Sequence, residues 1–147
     1  MSNNLYDADF HAWANEQAAL LRAGRLDAAD IPHIAEEIEN LGRGERRELV
    51  SRLNLLLLRL LRWQHQPVLR GHAWRLTIAD ARDQLKDHLA DNPSLTARLP
   101  EAIAAAYRYA RRGASAQTGL AEAAFPADCP WSFAQIMDGG FWPEGQG

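Results

Sequence analysis

The stretch RRELVSRLNLLLLRLLRWQH, residues 46–65, has the strongest helical pattern in the chain. Its apolar residues recur every three or four positions, which places them on one side of an α-helix. They are Leu49, Val50, Leu53, Leu56, Leu57, Leu60 and Leu61, and Leu58 extends the apolar surface beyond them. A surface helix with one buried face needs a narrower stripe. We therefore expect this helix to lie in the centre of a bundle or to be shared with a second subunit.

Two helices are predicted before this leucine-rich helix. The first covers about residues 7–23, with Asp7 or Asp9 as its N-cap. The second begins after Asp30, whose carboxylate is suited to cap it. Each glycine inside a helix costs about 1 kcal/mol relative to alanine. The Gly-x-Gly sequence at residues 42–44 therefore predicts a weak point or kink rather than a full break.

Two longer helices are predicted after it. Pro67 and Gly71 separate the leucine-rich helix from one that ends near Ala90. The sequence DNPSL, residues 91–95, is typical of a turn, and the following helix ends at Gly119. With no convincing strand pattern, the fold class predicted is all-α, a bundle of five to six helices.

The end of the chain is predicted to be irregular but packed. One domain is expected over residues 1–147, with a helical bundle over 1–120 and a tail over 121–147 that contains one short helix. Prolines and glycines interrupt the tail, but aromatic residues recur along it. Disordered segments contain few aromatic residues. These residues are Phe125, Trp131, Phe133, Phe141 and Trp142. We expect them to pack on the bundle.

Charge is unevenly distributed although the formal net charge is only −3. Residues 1–42 carry two basic and eight acidic side chains, whereas residues 43–82 carry nine arginines and three acids. Residues 83–147 carry five basic and eight acidic side chains. A basic middle between acidic flanks either attracts an anionic partner or pairs internally after folding.

Several classes of protein and site receive no support from the sequence. Cys129 is the only cysteine, so an intramolecular disulfide is excluded and no zinc-type cluster is present. No leader pattern or membrane-spanning apolar segment is found, so we expect a cytoplasmic protein without membrane contact. Asp30-x-x-His33 is the nearest approach to a di-iron motif, which requires Glu-x-x-His. We expect no metal, no cofactor and no catalytic residue.

The segment RWQHQPVLRGHAWR, residues 62–75, is the strongest candidate site. Its guanidinium groups suit phosphates, and its indole rings are able to stack on bases. The candidate binding residues are Arg59, Arg62, Trp63, His65, Arg70, Trp74 and Arg75. In the alternative interpretation the segment connects two helices, the indoles are core, and Arg62 and Arg75 pair with acids of the first helices. The pI of about 5.9 favours this polar hinge.

Cys129 and the serines do not suggest nucleophilic catalysis. Asp128 precedes the thiol and is expected to raise its pKa, which disfavours the reactive thiolate. The serines lie in helix, turn or cap contexts without a strained nucleophile turn.

Segments along nearly the whole chain resemble a family of uncharacterised bacterial proteins, domain of unknown function 29. The resembling segments are YDADFHAWANEQAALLRAGR, IAEEIENLGRGERRELVSRL, WQHQP, GHAWRLTIADAR, NPSL and TGLAEAAFPADCPW. The resemblance implies an all-helical single domain, and it implies no activity and no catalytic or binding residues.

The function expected from these observations is that of a small interaction protein that forms a homodimer, with a further protein partner also possible. The broad leucine surface exceeds what one small bundle easily covers, so Leu55, Leu58 and Leu61 are the residues expected to form an exposed patch. The alternative is nucleic-acid or other polyanion binding through residues 59–75.

Overall fold

The computed structural model describes residues 5–144, and this part of the chain contains six α-helices and no strand, which confirms the all-α prediction. The helices are α1 Leu5–Ala8, α2 Phe10–Arg22, α3 Ile31–His65, α4 His72–Asp91, α5 Leu99–Thr118 and α6 Phe133–Met137. Short 3₁₀ turns cover Pro67–Leu69, Pro93–Arg98 and Glu122–Ala124.

The chain divides into two compact units at Gly44 and Glu45, within α3. The first unit extends to Gly44 and the second begins at Glu45. The division falls at the glycine pair where the sequence predicts a weak point. Because α3 is assigned as helix through both glycines, the prediction that the helix is not fully broken is confirmed.

The first unit is built on capped helix ends rather than on a large core. The Asp9 carboxylate caps α2 by accepting from the Ala12 backbone N–H at 3.1 Å, as predicted. The buried Trp13 indole N–H donates to Asp30 at 3.2 Å, and the buried Gln17 amide oxygen accepts from the Asp30 backbone N–H at 2.6 Å. Thus Asp30, at the start of α3, links α2 to α3 within this unit.

The second unit contains the main hydrophobic core. The fully buried leucines of α3 pack with Ile78 and Leu85 of α4, with the alanine-rich face of α5, and with the tail. Gly113 of α5 faces Leu58 of α3, and a Cβ added at Gly113 would lie 3.5 Å from the Leu58 side chain, an ordinary van der Waals distance. Gly119 ends α5 in the left-handed conformation, as predicted.

The leucine surface of α3 does not form the exposed patch predicted from the sequence. Leu61 is fully buried and Leu58 is half-buried against the core, so the prediction is wrong for Leu61 and only Leu55, 42% exposed, remains open. The neighbouring helices and the tail cover more of α3 than the composition suggested. Within one copy of the second unit, the apolar side of α3 is therefore covered except at Leu55.

The tail packs on the helices, as predicted. Phe125, Trp131 and Ile136 are buried in the core, and Phe141 and Trp142 pack against it. The Ser132 hydroxyl accepts from the Gln135 backbone N–H at 3.2 Å, while the Gln135 side chain accepts from the Ser132 backbone N–H at 2.9 Å. This capping box starts the short helix α6.

Candidate functional site

The candidate residues gather where α3 ends and α4 begins, together with Arg82 and Trp142. We call this group the Arg/Trp cluster; it comprises Arg59, Arg62, Trp63, Arg70, Trp74, Arg75, Arg82 and Trp142. The geometry brings together every predicted site residue except His65. The His65 ring instead contacts the Phe125 ring edge-on, with 4.7 Å between centroids.

Guanidinium groups lie against the indole rings throughout the cluster. The Arg62 guanidinium carbon is 5.2 Å from the Trp74 centroid, and that of Arg75 is 5.2 Å from the Trp63 centroid. Arg75 also lies 5.1 Å from Trp142, within the range of cation–π attraction. The ring faces are thus already occupied by the protein's own cations.

The arginines of the α3–α4 junction are bound by oxygen acceptors of the chain itself. Arg70 donates to the carbonyls of Trp63 at 2.8 Å and Gln64 at 2.9 Å, which satisfies two free carbonyls in the last turn of α3. Arg62 donates to the side-chain oxygens of Gln66 and Gln117 at 2.9 and 2.7 Å. The cluster thereby fixes the end of α3.

Arg62 and Arg75, which were expected to pair with acids of the first helices, contact groups other than carboxylates within the second unit. Arg62 binds amide oxygens, and Arg75 stacks on two indoles. Among residues 5–144, no ion pair joins an arginine of the cluster to a carboxylate. No carboxylate is therefore in direct contact with a cluster arginine, although the charges of Asp80 and Asp138 act on Arg59 and Arg82 from a longer distance.

The two indoles of the hinge segment behave as core residues. Trp63 is buried, and the half-buried Trp74 donates its N–H to the Arg59 carbonyl at 3.3 Å. Base stacking needs an open ring face. Burial lowers the pKa of His65, which favours the neutral imidazole over the charged form that an anion site would use.

Sequence reasoning did not assign Arg82 and Trp142 to this cluster. Arg82 lies seven residues after Arg75, a spacing that places both on one helix face and was a usable signal. Trp142 lies sixty residues after Arg82, and no local pattern connects them. Only the packing of the tail brings Trp142 within 5.2 Å of the Arg82 guanidinium carbon.

In the first unit, Asp30 and His33 form a hydrogen-bonded pair. The His33 Nδ1 lies 2.7 Å from the Asp30 carboxylate, and the His33 ring stacks on Tyr6 with 4.0 Å between centroids. Tyr6 donates to Glu37 through its hydroxyl. The Asp30 carboxylate also accepts from the His33 backbone N–H at 3.4 Å, so the residue pair that most resembles a di-iron motif lies at the start of α3 and Asp30 binds its first turn. Within the described residues no group of three or more potential ligands could hold a metal ion.

We expect the Asp30–His33 pair to make folding depend on pH. The hydrogen bond to Asp30 raises the pKa of His33, and the same bond lowers the pKa of Asp30. The His33 contribution is present below about pH 6.5 and is lost as pH rises through its raised folded-state pKa. The Asp30 contribution is present above about pH 4 and is lost as pH falls through its lowered pKa.

Titration of His33 by NMR, in the wild type and in Asp30→Asn, measures this coupling. The variant should return the pKa of His33 toward its ordinary value, because it removes the charged acceptor. Unchanged circular dichroism of the variant establishes that it is folded. An unchanged pKa of His33 in the variant would show that the pair is not formed in solution.

The thiol of Cys129 is half-buried and contacts the Trp131 carbonyl at 3.5 Å. Burial raises its pKa, which is the predicted direction, but the predicted cause is wrong because Asp128 does not contribute to the shift. This thiol is not activated as a nucleophile.

No helix between residues 5 and 144 is long and apolar enough to span a bilayer.

Comparison with known proteins identifies the family of the chain. Comparison with curated proteins gives no match, and comparison with solved structures gives none. A family model described as Domain of unknown function DUF29 matches residues 5–142, nearly the whole chain. This match confirms the resemblance of the sequence segments, and the chain belongs to the DUF29 family.

Proposed function

We propose that this protein is a homodimeric interaction protein and that its first unit carries the docking surface. The supporting observation is where the exposed apolar side chains lie. Of the eleven large hydrophobic residues exposed in the described chain, six belong to the first unit, which ends at Gly44. They are Phe10, Leu21, Leu26, Ile31, Ile38 and Leu41. Contiguous exposed apolar surface is typical of protein interaction sites.

Three of these residues form a stripe on the first part of α3. Ile31, Ile38 and Leu41 are spaced by seven and three residues, which places them on one side of the helix. Ile38 is 62% and Leu41 72% exposed, the largest values among the large hydrophobic residues of the first unit. A second surface that covers this exposed stripe would remove apolar area from water, and this burial would stabilise the complex.

Charge favours a second copy of the chain as the partner. The acidic residues Glu36 and Glu39 are exposed on the same part of α3, in a segment with a formal charge of −6. Residues 43–82 carry a formal charge of +6, so the acidic segment of one copy and the basic segment of another are complementary. We place the dimer in the bacterial cytoplasm, a proposal supported by the single cysteine and the family resemblance. The proposal includes no catalytic activity and no cofactor.

Ile38→Glu and Leu41→Glu are expected to weaken the dimer at least about tenfold each, because each places a charge in an apolar contact. Light scattering and sedimentation at micromolar concentrations measure the dissociation constant. Leu120→Glu is the matched control, since it changes an exposed leucine outside both the first unit and residues 43–82 and should leave the dimer intact. A wild-type protein that is monomeric at these concentrations would refute the homodimer.

Polyanion binding through the Arg/Trp cluster is a second candidate. It is supported by the absence of ion pairs at the cluster arginines within residues 5–144. Arg75 is the most suitable contact for phosphate, because it is exposed and is bound only by stacking on indoles. The occupied indole faces favour contact with phosphates rather than with bases.

Fluorescence anisotropy of labelled single-stranded and duplex oligonucleotides tests this candidate at low and physiological salt. We expect affinity to fall with salt and to decrease in Arg75→Ala and in the double variant Arg62→Ala/Arg70→Ala. Arg112→Ala, outside the cluster, is the control. Binding that is absent at low salt, or equal in all variants, would exclude the cluster as a polyanion site.

A further inference from the structure

A groove of about 400 Å³ lies in the second unit between α5 and the tail. Its helical wall is one stripe of α5 that runs from Pro100 through Ile103 and Tyr107 to Arg111. Its other wall is formed by residues between Glu122 and Cys129. This volume falls within the range of small-molecule sites in proteins.

The groove combines an apolar wall with an unused hydrogen-bond donor. Pro100, Ile103 and Ala104 supply aliphatic surface at one end. At the other end, the Nε atom of Arg111 is buried and has no hydrogen-bond acceptor among the described residues. Arg111 has no ion-pair partner within residues 5–144. Because its Nε is buried, an acceptor in the groove would bind the guanidinium through its other nitrogen atoms.

The other polar groups of the inner groove already have partners and carry no charge. The Tyr107 hydroxyl donates to the Pro126 carbonyl at 2.7 Å, and burial raises the pKa of Tyr107 to about 12. The Cys129 thiol lies 3.5 Å from the Trp131 carbonyl and is protonated at physiological pH, because burial raises its pKa. Arg111 is therefore the inner group best suited to bind an anion.

We propose that this groove binds a small molecule that carries a carboxylate on an apolar body. The carboxylate accepts from the Arg111 guanidinium, whose planar fork suits two parallel hydrogen bonds. The apolar body lies along Pro100, Ile103 and Ala104. Arg108, also in the wall, adds a second positive charge at the solvent side. This site does not depend on the dimer proposed above.

Two acidic residues of the wall limit which ligands fit. The Glu122 carboxylate lies 3.8 Å from the Arg112 guanidinium, which offsets its charge. Asp128 is exposed and has no ion-pair partner within residues 5–144. Its charge opposes a carboxylate, so Asp128→Asn should tighten binding by about two- to fivefold.

Calorimetric titration with 3-phenylpropanoate tests the proposal, with phenethylamine as a probe of the same apolar body and opposite charge. We expect 3-phenylpropanoate to bind with a dissociation constant of about 1 mM or tighter, and phenethylamine at least about tenfold more weakly. Arg111→Gln should weaken the carboxylate about tenfold or more. Arg47→Gln is the matched control, because Arg47 is exposed in the second unit and does not line the groove, and it should change affinity less than about threefold.

The thiol of Cys129 supplies a second readout in the wild-type protein. Because Cys129 lines the groove, 3-phenylpropanoate should slow its modification by a thiol reagent, whereas phenethylamine should not. Equal affinity for the two probes, no binding of the carboxylate at about 10 mM, or unchanged affinity in Arg111→Gln would overturn the proposal. Circular dichroism of each variant establishes that it is folded, and binding in the folded variants decides the outcome.

Discussion

Leu60→Ala is expected to lower the free energy of unfolding by about 2–5 kcal/mol. Leu60 is fully buried in α3 of the second unit, within the cluster formed by α3, α4, α5 and the tail. Truncation to alanine removes apolar contacts and leaves a cavity that rigid helices on several sides only partly fill. Domains of this size are stable by about 5–15 kcal/mol, so the loss is a large share of the total.

Chemical denaturation followed by circular dichroism measures this effect. Leu55→Ala is the matched control, because Leu55 lies on the same helix, has the same side chain and is 42% exposed. The control should lose less than about 1 kcal/mol, since a half-open site leaves little cavity. If both variants lost the same stability, Leu60 would not be in the core and the packing around α3 would be wrong.

Arg82→Met is expected to release the tail and to lower the free energy of unfolding by about 2–3 kcal/mol. Arg82 is only 4% exposed and donates to two tail carbonyls, Ile136 at 2.8 Å and Phe141 at 2.7 Å. Its guanidinium also lies against the Trp142 ring. Methionine keeps most of the aliphatic volume but leaves both carbonyls without a donor.

The size of this loss results from two opposing contributions. Each carbonyl left without its donor costs about 1–3 kcal/mol, whereas removal of a buried cation recovers part of that cost. Burial lowers the pKa of Arg82, which shows that desolvation of this cation is unfavourable. We therefore expect a net loss near the lower part of the combined range.

Hydrogen exchange of residues 133–142 and chemical denaturation distinguish the hydrogen bonds of Arg82 to the tail from the stacking of its guanidinium on the Trp142 ring. Arg75→Met is the matched control, because Arg75 also lies about 5 Å from the Trp142 ring but donates no hydrogen bond to the tail. Faster exchange in the tail should appear only in the Arg82 variant. The same exchange rates in both variants would show that apolar packing alone holds the tail.

Helix ends were predictable because they depend on residues close in sequence. Asp9 caps α2 through the Ala12 N–H, three residues away, and Gly119 takes the left-handed conformation that few other residues tolerate. Ser132 and Gln135 similarly start α6 within one turn. Local hydrogen bonds and backbone preferences are sufficient for such features.

The candidate site was only partly predictable, because most of its contacts join distant segments. The Arg and Trp residues of 59–75 are visible in the sequence as a dense group, and the structure does bring them together. Which acceptors bind the guanidinium groups of these arginines was not predictable from the sequence. Amide and carbonyl oxygens compete with carboxylates for a guanidinium, and only the packed structure decides which acceptor lies within reach.

By itself, the sequence determined the all-α class, several helix ends and the presence of one broad leucine face on α3, although the single helix predicted over about residues 7–23 is wrong because Leu5–Ala8 and Phe10–Arg22 are separate helices. The tertiary structure decided which parts of that face are covered, so that Leu61 is buried while Leu55 stays open. It also decided that Arg82 binds the tail and that Arg111 faces a groove. Helical periodicity specifies the side of a helix on which a residue lies, whereas burial depends on which distant segments pack against that side.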